Sequence, residues 1–346
     1  VPQTWARYSF VPPNFPDYPK YGVWSDAYYL GTNEGTSAAP LALYALDRKA
    51  MLEGRAMTTQ RFGATKLSGF GFQVAQPLDI DGQFPPTAGA PGIFLRHNDA
   101  ESHGRGSVAP DYVELLSLSI DWTTPANSVL SGPVQIAVTE FSSNLNGLTA
   151  FEAFPQPNGT RLDPLREQVM YRAAYRRFPT HEAIVGNFVT DVDGADTGGV
   201  RWFELRRNGG AWTLHQEGTV ALGDFVDRWM GASAMDEAGN IALAYSVTRG
   251  TNHPVPNNTG IFPGLRYIGR LAGDALGVMT TGEQVLVNGT ASQSGSTRWG
   301  DYHAMGVDPA DGCAFWFTGQ HMPGSSWGTR IGAVRPHFPD VVLVVE

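Results

Sequence analysis

The sequence contains little cysteine, little charge and no long apolar run. Its 346 residues include one cysteine, Cys313, so no intrachain disulfide can form. Charged residues are 16% of the chain, against roughly 25% in an average soluble domain. The longest apolar candidate, Val341–Val345, is far shorter than the roughly 18 residues that a membrane helix needs. We therefore expect neither a disulfide-stapled small domain nor insertion into a membrane.

Positive charge is especially scarce. The chain has 24 Lys and Arg against 33 Asp and Glu, which gives a formal net charge of −9. Because an acidic protein repels phosphate, we expect no nucleic-acid partner.

Glycine, proline and aromatic residues are abundant, with 41 Gly, 24 Pro, 9 Trp, 12 Tyr and 18 Phe. This composition favours many short strands joined by tight turns. Helix-like stretches are limited to Pro40–Leu52 and Pro164–Ala174. Cys313 opens the apolar run Cys313–Phe317, which predicts a buried strand with a packed thiol.

A repeated hairpin pattern runs along the chain. Each copy has a strand of small residues, an Asp/Gly/Pro/Asn turn and an apolar strand. The copies are Lys20–Leu30, Phe70–Gly82, Arg172–Val185, Arg228–Tyr245 and Arg298–Trp316. Third strands are predicted at Leu41–Asp47, Tyr112–Asp121, Val200–Arg206, Gly264–Arg270 and Thr329–Arg335. Fourth strands are predicted at Gln60–Leu67, Val134–Phe141, Trp212–Val220 and Gln284–Asn288.

Repeated four-stranded units predict one all-β domain, a five-bladed β-propeller of about twenty strands. The predicted blades are 11–67, 68–141, 142–220, 221–290, and 291–340 together with 4–10. In this prediction Thr4–Phe10 supplies the missing outer strand of the last blade and closes the ring. Six blades are the main alternative, if Leu78–Tyr112 or Ser142–Met170 contains further strands. A pair of β-sandwiches is the other alternative.

Four of the five repeats begin their innermost strand with a cation. Because loops from every blade converge at the mouth of a propeller's channel, we expect these cations there. Arginine binds carboxylates bidentately, so the predicted ligand is a carbohydrate or another small anion. The predicted ligand-binding residues are Lys20, Tyr18, Arg172, Arg228, Trp229, Arg298 and Trp299. The alternative is structural, with the cations bridging neighbouring blades and the tryptophans packing between them.

Two segments contain oxygen or nitrogen ligands at short spacing. The segment His97–His103 holds four potential metal ligands but matches no established motif. Asp191–Asp196 resembles the start of a calcium loop without the glutamate that completes an EF-hand. We expect no cofactor and no dedicated metal site; a loose Ca²⁺ site or an exposed acidic turn remains open at Asp191–Asp196.

Tyr18–Tyr29, Ser296–Phe317 and Arg228–Tyr245 resemble segments of bacterial exported, sialidase-like β-propeller proteins, most of which are uncharacterised. The resemblance implies a propeller that is secreted or held at the cell surface. The start at Val1, without a signal peptide, predicts a mature or excised chain.

In sialidases an arginine cluster binds the substrate carboxylate, a role that Arg172, Arg228 and Arg298 would take here. The resemblance also implies Tyr302 or Tyr18 as nucleophile and Asp17 or Asp301 as acid. Five-bladed furanosidases instead use three carboxylates, of which Asp17 and Asp301 would supply two. The Ser-x-Asp-x-Gly-x-x-Trp boxes of sialidases are absent.

Taken together, the sequence predicts a monomeric, exported propeller that binds a carbohydrate or other anionic ligand at the channel mouth. Two alternatives stay open. The first is a glycoside hydrolase whose catalytic residues are Asp17, Asp301 and Tyr302. The second is a structural or adhesive module of a larger surface protein.

Overall fold

Strands dominate the computed structural model, which describes residues 5–35, 40–335 and 343–345. The first four strands form one antiparallel sheet in chain order: β1 (Pro16–Val23), β2 (Ala27–Glu34), β3 (Leu41–Asp47) and β4 (Thr59–Ala64). A short helix, α1 (Arg48–Leu52), connects β3 to β4, and its first turn is capped by the Asp47 carboxylate, which accepts from the Ala50 amide. In the described part of the chain, no helix is long and apolar enough to cross a membrane.

The second sheet has eight strands and consists of two four-stranded meanders. The first meander contains β5 (Gln76–Asp81), β6 (Gly92–Asn98), β7 (Asp111–Ser119) and β8 (Val129–Val138). A two-residue hairpin, β9 (Phe154–Pro155) and β10 (Arg161–Leu162), follows. The second meander contains β11 (Ala173–Arg177), β12 (Glu182–Asp191), β13 (Gly198–Arg207) and β14 (Thr213–Val220). The meanders are joined by parallel pairing of β5 with β11.

Two further four-stranded antiparallel sheets complete the described fold. One contains β15 (Asp227–Met235), β16 (Ile241–Arg249), β17 (Ile261–Arg270) and β18 (Gln284–Val287). The other contains β19 (Ala304–Val307), β20 (Phe315–His321), β21 (Gly328–Val334) and β22 (Leu343–Val345). The protein is therefore all-β, built from consecutive four-stranded meanders, as in a β-propeller.

The first strands of the meanders lie beside one another, with contacts from β1 to β5, β5 to β11, β11 to β15 and β15 to β19. Their backbones approach closely at Gly22, where a Cβ atom would lie 2.2 Å from the Leu78 carbonyl oxygen. Glycine is required there because any side chain would push β1 away from β5.

Large apolar side chains fill the spaces between the sheets. Trp24 follows β1 and packs edge-on against Tyr175 of β11, with ring centroids 4.9 Å apart. Both side chains are buried in a cluster that joins the first sheet to the two central meanders. Burying each such ring contributes roughly 1.5–3 kcal/mol. Outer strands are more exposed, as in β8.

The N-terminal segment corrects one prediction. Residues 5–10 form no strand, and the fourth strand of the last sheet is β22, which pairs with β21 from the C-terminal side. Phe10 packs instead against Tyr44 of the first sheet. Thr4 lies outside the described residues.

Three other expectations change. Cys313 is half-buried in the turn between β19 and β20, and the strand begins two residues later, at Phe315. Pro164–Ala174 contains no helix and leads into β11. Within Leu78–Tyr112 the additional strand is β6, which belongs to the first meander of the eight-stranded sheet, and Ser142–Met170 contributes the β9–β10 hairpin.

Candidate functional site

A tight turn before β19 places Arg298, Asp301 and Tyr302 beside the start of β1. Gly300 lies within this turn at φ +64°, and a Cβ there would lie 2.9 Å from the His303 ring. The Gly300 amide donates to Gln320 of β20, and the Gln320 amide donates to His303 Nε2. Burial lowers the pKa of His303 to about 4, so the ring is a neutral acceptor. These bonds hold the turn against the last sheet.

Lys20 projects from β1 into an aromatic cage next to this turn. Its Nζ lies 3.7 Å from the Tyr18 ring centroid and 3.9 Å from that of Tyr302. The same atom donates to the Asp301 backbone carbonyl at 2.5 Å. Lys20 is 2% exposed, and burial lowers its pKa to about 7, although the charge of Asp301 raises it in part. The ring faces replace part of the lost hydration of the ammonium group.

Arg298 contacts two carboxylates from different parts of the chain. Its Nη2 donates to Asp301 Oδ2, and its Nε lies 3.8 Å from Asp163 Oδ2. The Arg298 side chain is 46% exposed, whereas that of Asp163 is 2% exposed. Arg298 therefore lies between a buried carboxyl group and solvent.

Asp163 has an unusual environment. Its Oδ1 accepts from the Leu165 amide, while its buried Oδ2 has no hydrogen-bond partner among the described residues. Burial raises its pKa, and the Leu165 amide and the charge of Arg298 offset this only in part. Burial thus makes the ionised form of Asp163 less favourable than that of an exposed aspartate.

Tyr18 and Asp17 lie at a bulge in β1, where the register with β2 shifts between Asp17 and Lys20. Tyr18 has φ +53° and a buried ring. Burial raises its pKa first of all, so an ionised Tyr18 nucleophile is disfavoured. The pKa of Tyr302 is also raised, by burial and by the charges of Asp301 and Asp17. Asp17 thus lies close enough to act on Tyr302 electrostatically.

A cavity of about 370 Å³ opens beside this turn. We call it the Tyr302–Trp327 cavity, after the two aromatic residues of its lining that are most open to solvent, at 62% and 65% exposure. The lining combines aromatic side chains with a few polar groups: Arg298, Trp299, Gly300, Asp301, Tyr302, His303, Thr318, Gly319, Gln320, Trp327 and Thr329. Aromatic faces with a few fixed polar groups are typical of small-ligand sites.

The predicted ring of four cations does not assemble. Arg172 forms hydrogen bonds to Asp79 and Asp81 of β5, on the neighbouring meander. Arg228 is bound by Asp224 and Glu283. Both arginines are buried and paired. Arg172 bridges two meanders, as in the structural alternative, whereas Arg228 pairs with carboxylates beside the strands of its own sheet. Lys20 and Arg298 both donate to Asp301, Lys20 to its backbone carbonyl and Arg298 to its carboxylate.

The two predicted tryptophans are buried. Trp229 and Trp299 pack with ring centroids 6.2 Å apart, and Trp299 donates from Nε1 to Ser246 at 2.8 Å. Trp299 borders the Tyr302–Trp327 cavity, whereas Trp229 does not. Their packing in an apolar cluster matches the expectation that large aromatics fill the space between sheets.

Sequence reasoning did not select Asp163 or Trp327. Asp163 lies in the long connection between β8 and β11, and its amide donates to the Thr297 carbonyl at 2.9 Å. No local pattern marks this contact, because the two residues are far apart in the chain. Trp327 had a usable signal, since it follows the turn-forming residues Pro323–Ser326, and a turn places the tryptophan at the surface.

The candidate calcium loop is an acidic turn whose oxygens accept backbone amides. Asp191 accepts from the amides of 193, 194 and 196, and Asp193 accepts from those of 195 and 197. A second group of carboxylates consists of Asp99, Glu101 and Asp111. One carboxylate oxygen from each of these residues lies within 4.8 Å of the other two. Asp99 and Asp111 are also bound by backbone amides.

Comparison with known proteins gives structural similarity at low sequence identity. No family model and no curated protein matches the chain. A Dyadobacter fermentans protein of unknown function is 10% identical with a TM-score of 0.45, over 94% of this chain and 81% of its own. The Penicillium chrysogenum α-L-arabinanase complexed with arabinobiose is 10% identical with a TM-score of 0.44, over 93% and 94%. The Fusarium graminearum GH93 α-L-arabinofuranosidase with arabinobiose is 11% identical with a TM-score of 0.42, over 94% and 95%. Similarities of this size assign no family.

Proposed function

We propose that the protein binds a carbohydrate in the Tyr302–Trp327 cavity. The observation that carries this proposal is the pair of exposed aromatic side chains lining one cavity of about 370 Å³, whose edge is formed by the Arg298–Asp301 ion pair. Aromatic faces cover the apolar face of a sugar ring, while Arg298, Asp301 and Gln320 offer donors and acceptors to its hydroxyl groups.

The charge of the lining favours an uncharged sugar over an acidic one. Arg298 is the cationic side chain among the described residues that line the cavity, and it already contacts Asp301 and Asp163. His303 is neutral at pH 7 because of its lowered pKa. An acidic sugar would have to displace a carboxylate from Arg298, at a cost in desolvation and lost pairing. This narrows the ligand predicted from the sequence to a neutral carbohydrate.

The test is a titration with neutral oligosaccharides and their uronic-acid or sialylated counterparts, followed by intrinsic tryptophan fluorescence and calorimetry. We expect binding of a neutral oligosaccharide to weaken roughly tenfold, about 1.4 kcal/mol, in Trp327→Ala and in Tyr302→Ala. The matched controls are Trp5→Ala and Tyr21→Ala, which truncate exposed aromatics outside the cavity. Equal loss in the controls, or tighter binding of the acidic sugars, would count against the proposal.

Hydrolysis of a glycosidic bond is a second candidate, favoured by the two carboxyl groups that contact Arg298. Such enzymes place two carboxyl groups roughly 5 to 10 Å apart, one of them protonated. Asp163, with its raised pKa, would be the acid, and Asp301 the base or nucleophile. Because Arg298 covers Asp163, its side chain would have to move as substrate enters. Asp163→Asn should abolish hydrolysis while leaving binding intact, so release of reducing ends from the bound oligosaccharide decides between the two functions.

For the architecture, we propose that the five meanders form one closed, five-bladed propeller. The Lys20–Asp301 hydrogen bond supports closure, since it joins the first sheet to the turn before the last one. We further propose an exported monomer, on the resemblance to exported propellers; size-exclusion chromatography with light scattering would test the monomer.

A further inference from the structure

A second cleft, of about 340 Å³, lies away from the Tyr302–Trp327 cavity. It is formed by the turn between β11 and β12, the turn between β13 and β14, and Thr87. We call it the Arg177–Arg207 cleft, after the two arginines in its lining. Hairpin turns between first and second strands lie at the end of the sheets opposite to the starts of the first strands. The cleft is therefore independent of the proposed carbohydrate site.

Arg207 is held in a fixed orientation in this cleft. Its Nε donates to Glu182 Oε2, and its guanidinium carbon lies 4.7 Å from the Trp212 ring centroid. The other oxygen of Glu182 accepts from the Tyr175 hydroxyl at 2.7 Å. Glu182 is thereby occupied, and the Nη atoms of Arg207 donate to no described residue.

Arg177 supplies the second guanidinium group. Its Nη1 donates to the Pro85 carbonyl at 3.3 Å, and it forms no ion pair with a described carboxylate. Burial raises the pKa of Glu182, but the hydrogen bonds from Arg207 and Tyr175 and the charges of both arginines lower it overall. Both guanidinium groups therefore act on the same carboxylate, and both arginines and Glu182 line the cleft.

The remaining lining adds no negative charge. His181 stacks on Phe178, with ring centroids 4.7 Å apart, and burial lowers its pKa, so it is neutral at pH 7. Gly209 and Gly210 border open space, since a Cβ on either would meet no atom within 4 Å. Two guanidinium groups against one carboxylate leave an excess positive charge, in a chain whose formal net charge is −9.

From this geometry we infer that the Arg177–Arg207 cleft binds a small oxyanion, a phosphate, sulfate or carboxylate group. Planar guanidinium groups with free N–H donors match the oxygen pairs of such anions. Arg207 is preorganised by Glu182 and Trp212, so little side-chain freedom is lost on binding. The oxyanion is either a free inorganic ion or a substituent on a polysaccharide.

The experiment titrates the full chain with inorganic phosphate, with sulfate, and with a sulfated oligosaccharide and its desulfated form, at constant ionic strength. Binding is followed by calorimetry and by chemical shifts of the amides of 208–210. We expect a dissociation constant of about 1 mM for a free anion. Binding should weaken about tenfold in Arg177→Gln and in Arg207→Gln but not in Arg55→Gln, an exposed arginine in the connection between α1 and β4.

Each outcome of this experiment either supports or overturns the inference. Binding of free anions supports a site for an inorganic ion; binding of the sulfated oligosaccharide alone supports a site for a polysaccharide substituent. Arg177 forms no ion pair within the described part of the chain, so its variant tests the site even if Arg207→Gln impairs folding. No shift of the 208–210 amides with any of the anions, equal weakening in Arg55→Gln, or equal affinity for the desulfated oligosaccharide overturns the inference.

Discussion

Lys20 donates a hydrogen bond from its side chain to the backbone carbonyl of Asp301, 281 residues away, at 2.5 Å. This bond joins the first strand of the first sheet to the turn before the last sheet. The ammonium group is enclosed by tyrosine rings and excluded from water. The Lys20 side chain thus contributes to the packing between the two ends of the fold and to the position of the candidate site.

The first prediction concerns the pH dependence of stability. Burial lowers the pKa of Lys20 to about 7 in the folded chain, from its ordinary value of 10.5. Between these values the unfolded chain binds more protons, so the Lys20 contribution to the free energy of unfolding rises with pH. In Lys20→Met this rise should disappear, with a slope lower by up to about 1.4 kcal/mol per pH unit.

Urea denaturation at pH 7, 8.5 and 10 measures this slope. Lys49→Met, an exposed lysine in α1, is the control and should follow the wild type. If the free energy of unfolding changed equally with pH in Lys20→Met and in the wild type, the ammonium group would not be desolvated.

The second prediction concerns Arg172, which is paired with two carboxylates of β5. Arg172→Gln leaves Asp79 and Asp81 partly buried without a countercharge, so we expect a loss of about 3–5 kcal/mol in the free energy of unfolding. Arg55→Gln, whose ion pair with Glu53 is exposed, should cost no more than about 1 kcal/mol. Similar losses in the free energy of unfolding in the two variants would show that Arg172 does not stabilise the contact between the two meanders.

The third prediction concerns the contact between β1 and β5. Gly22→Ala places a Cβ against the Leu78 carbonyl, which belongs to the backbone and cannot rotate away. We expect a loss of roughly 1–3 kcal/mol, as in other overpacked sites. Gly210→Ala is the control, since its Cβ would meet open space. A melting temperature unchanged in Gly22→Ala would contradict the observed strand spacing.

The fourth prediction concerns Asp163. A carboxyl whose pKa is raised on folding makes the folded state less stable as the pH rises above its ordinary value of 3.8. Asp163→Asn removes this pH-dependent loss of stability and keeps a side-chain oxygen that accepts from the Leu165 amide. The melting temperature of the variant, relative to that of the wild type, should therefore rise as the pH increases from 4 to 7. A constant difference across that range would mean that Asp163 is ionised beside Arg298.

The sequence by itself determined the all-β class and the position of most strands. Leu41–Asp47 is predicted with the bounds that the structure has, and Thr213–Val220 differs from its prediction by one residue. Strands and turns are specified by neighbouring residues, through alternating apolar positions and turn formers such as glycine. The same local signals predicted strand starts at Lys20 and Arg298, but Lys20 lies within β1, and Arg298 lies with Asp301 in the turn before β19.

The tertiary structure alone decided which of these residues share a site. Four cations at matching positions look equivalent in sequence, but Arg172 and Arg228 are bound by carboxylates that local pattern does not select. Asp163 reaches Arg298 through a long connection with no regular spacing. The partner of a charged group is set by whichever chain segment packs beside it, and burial then makes that pairing obligatory because an unpaired buried charge is costly.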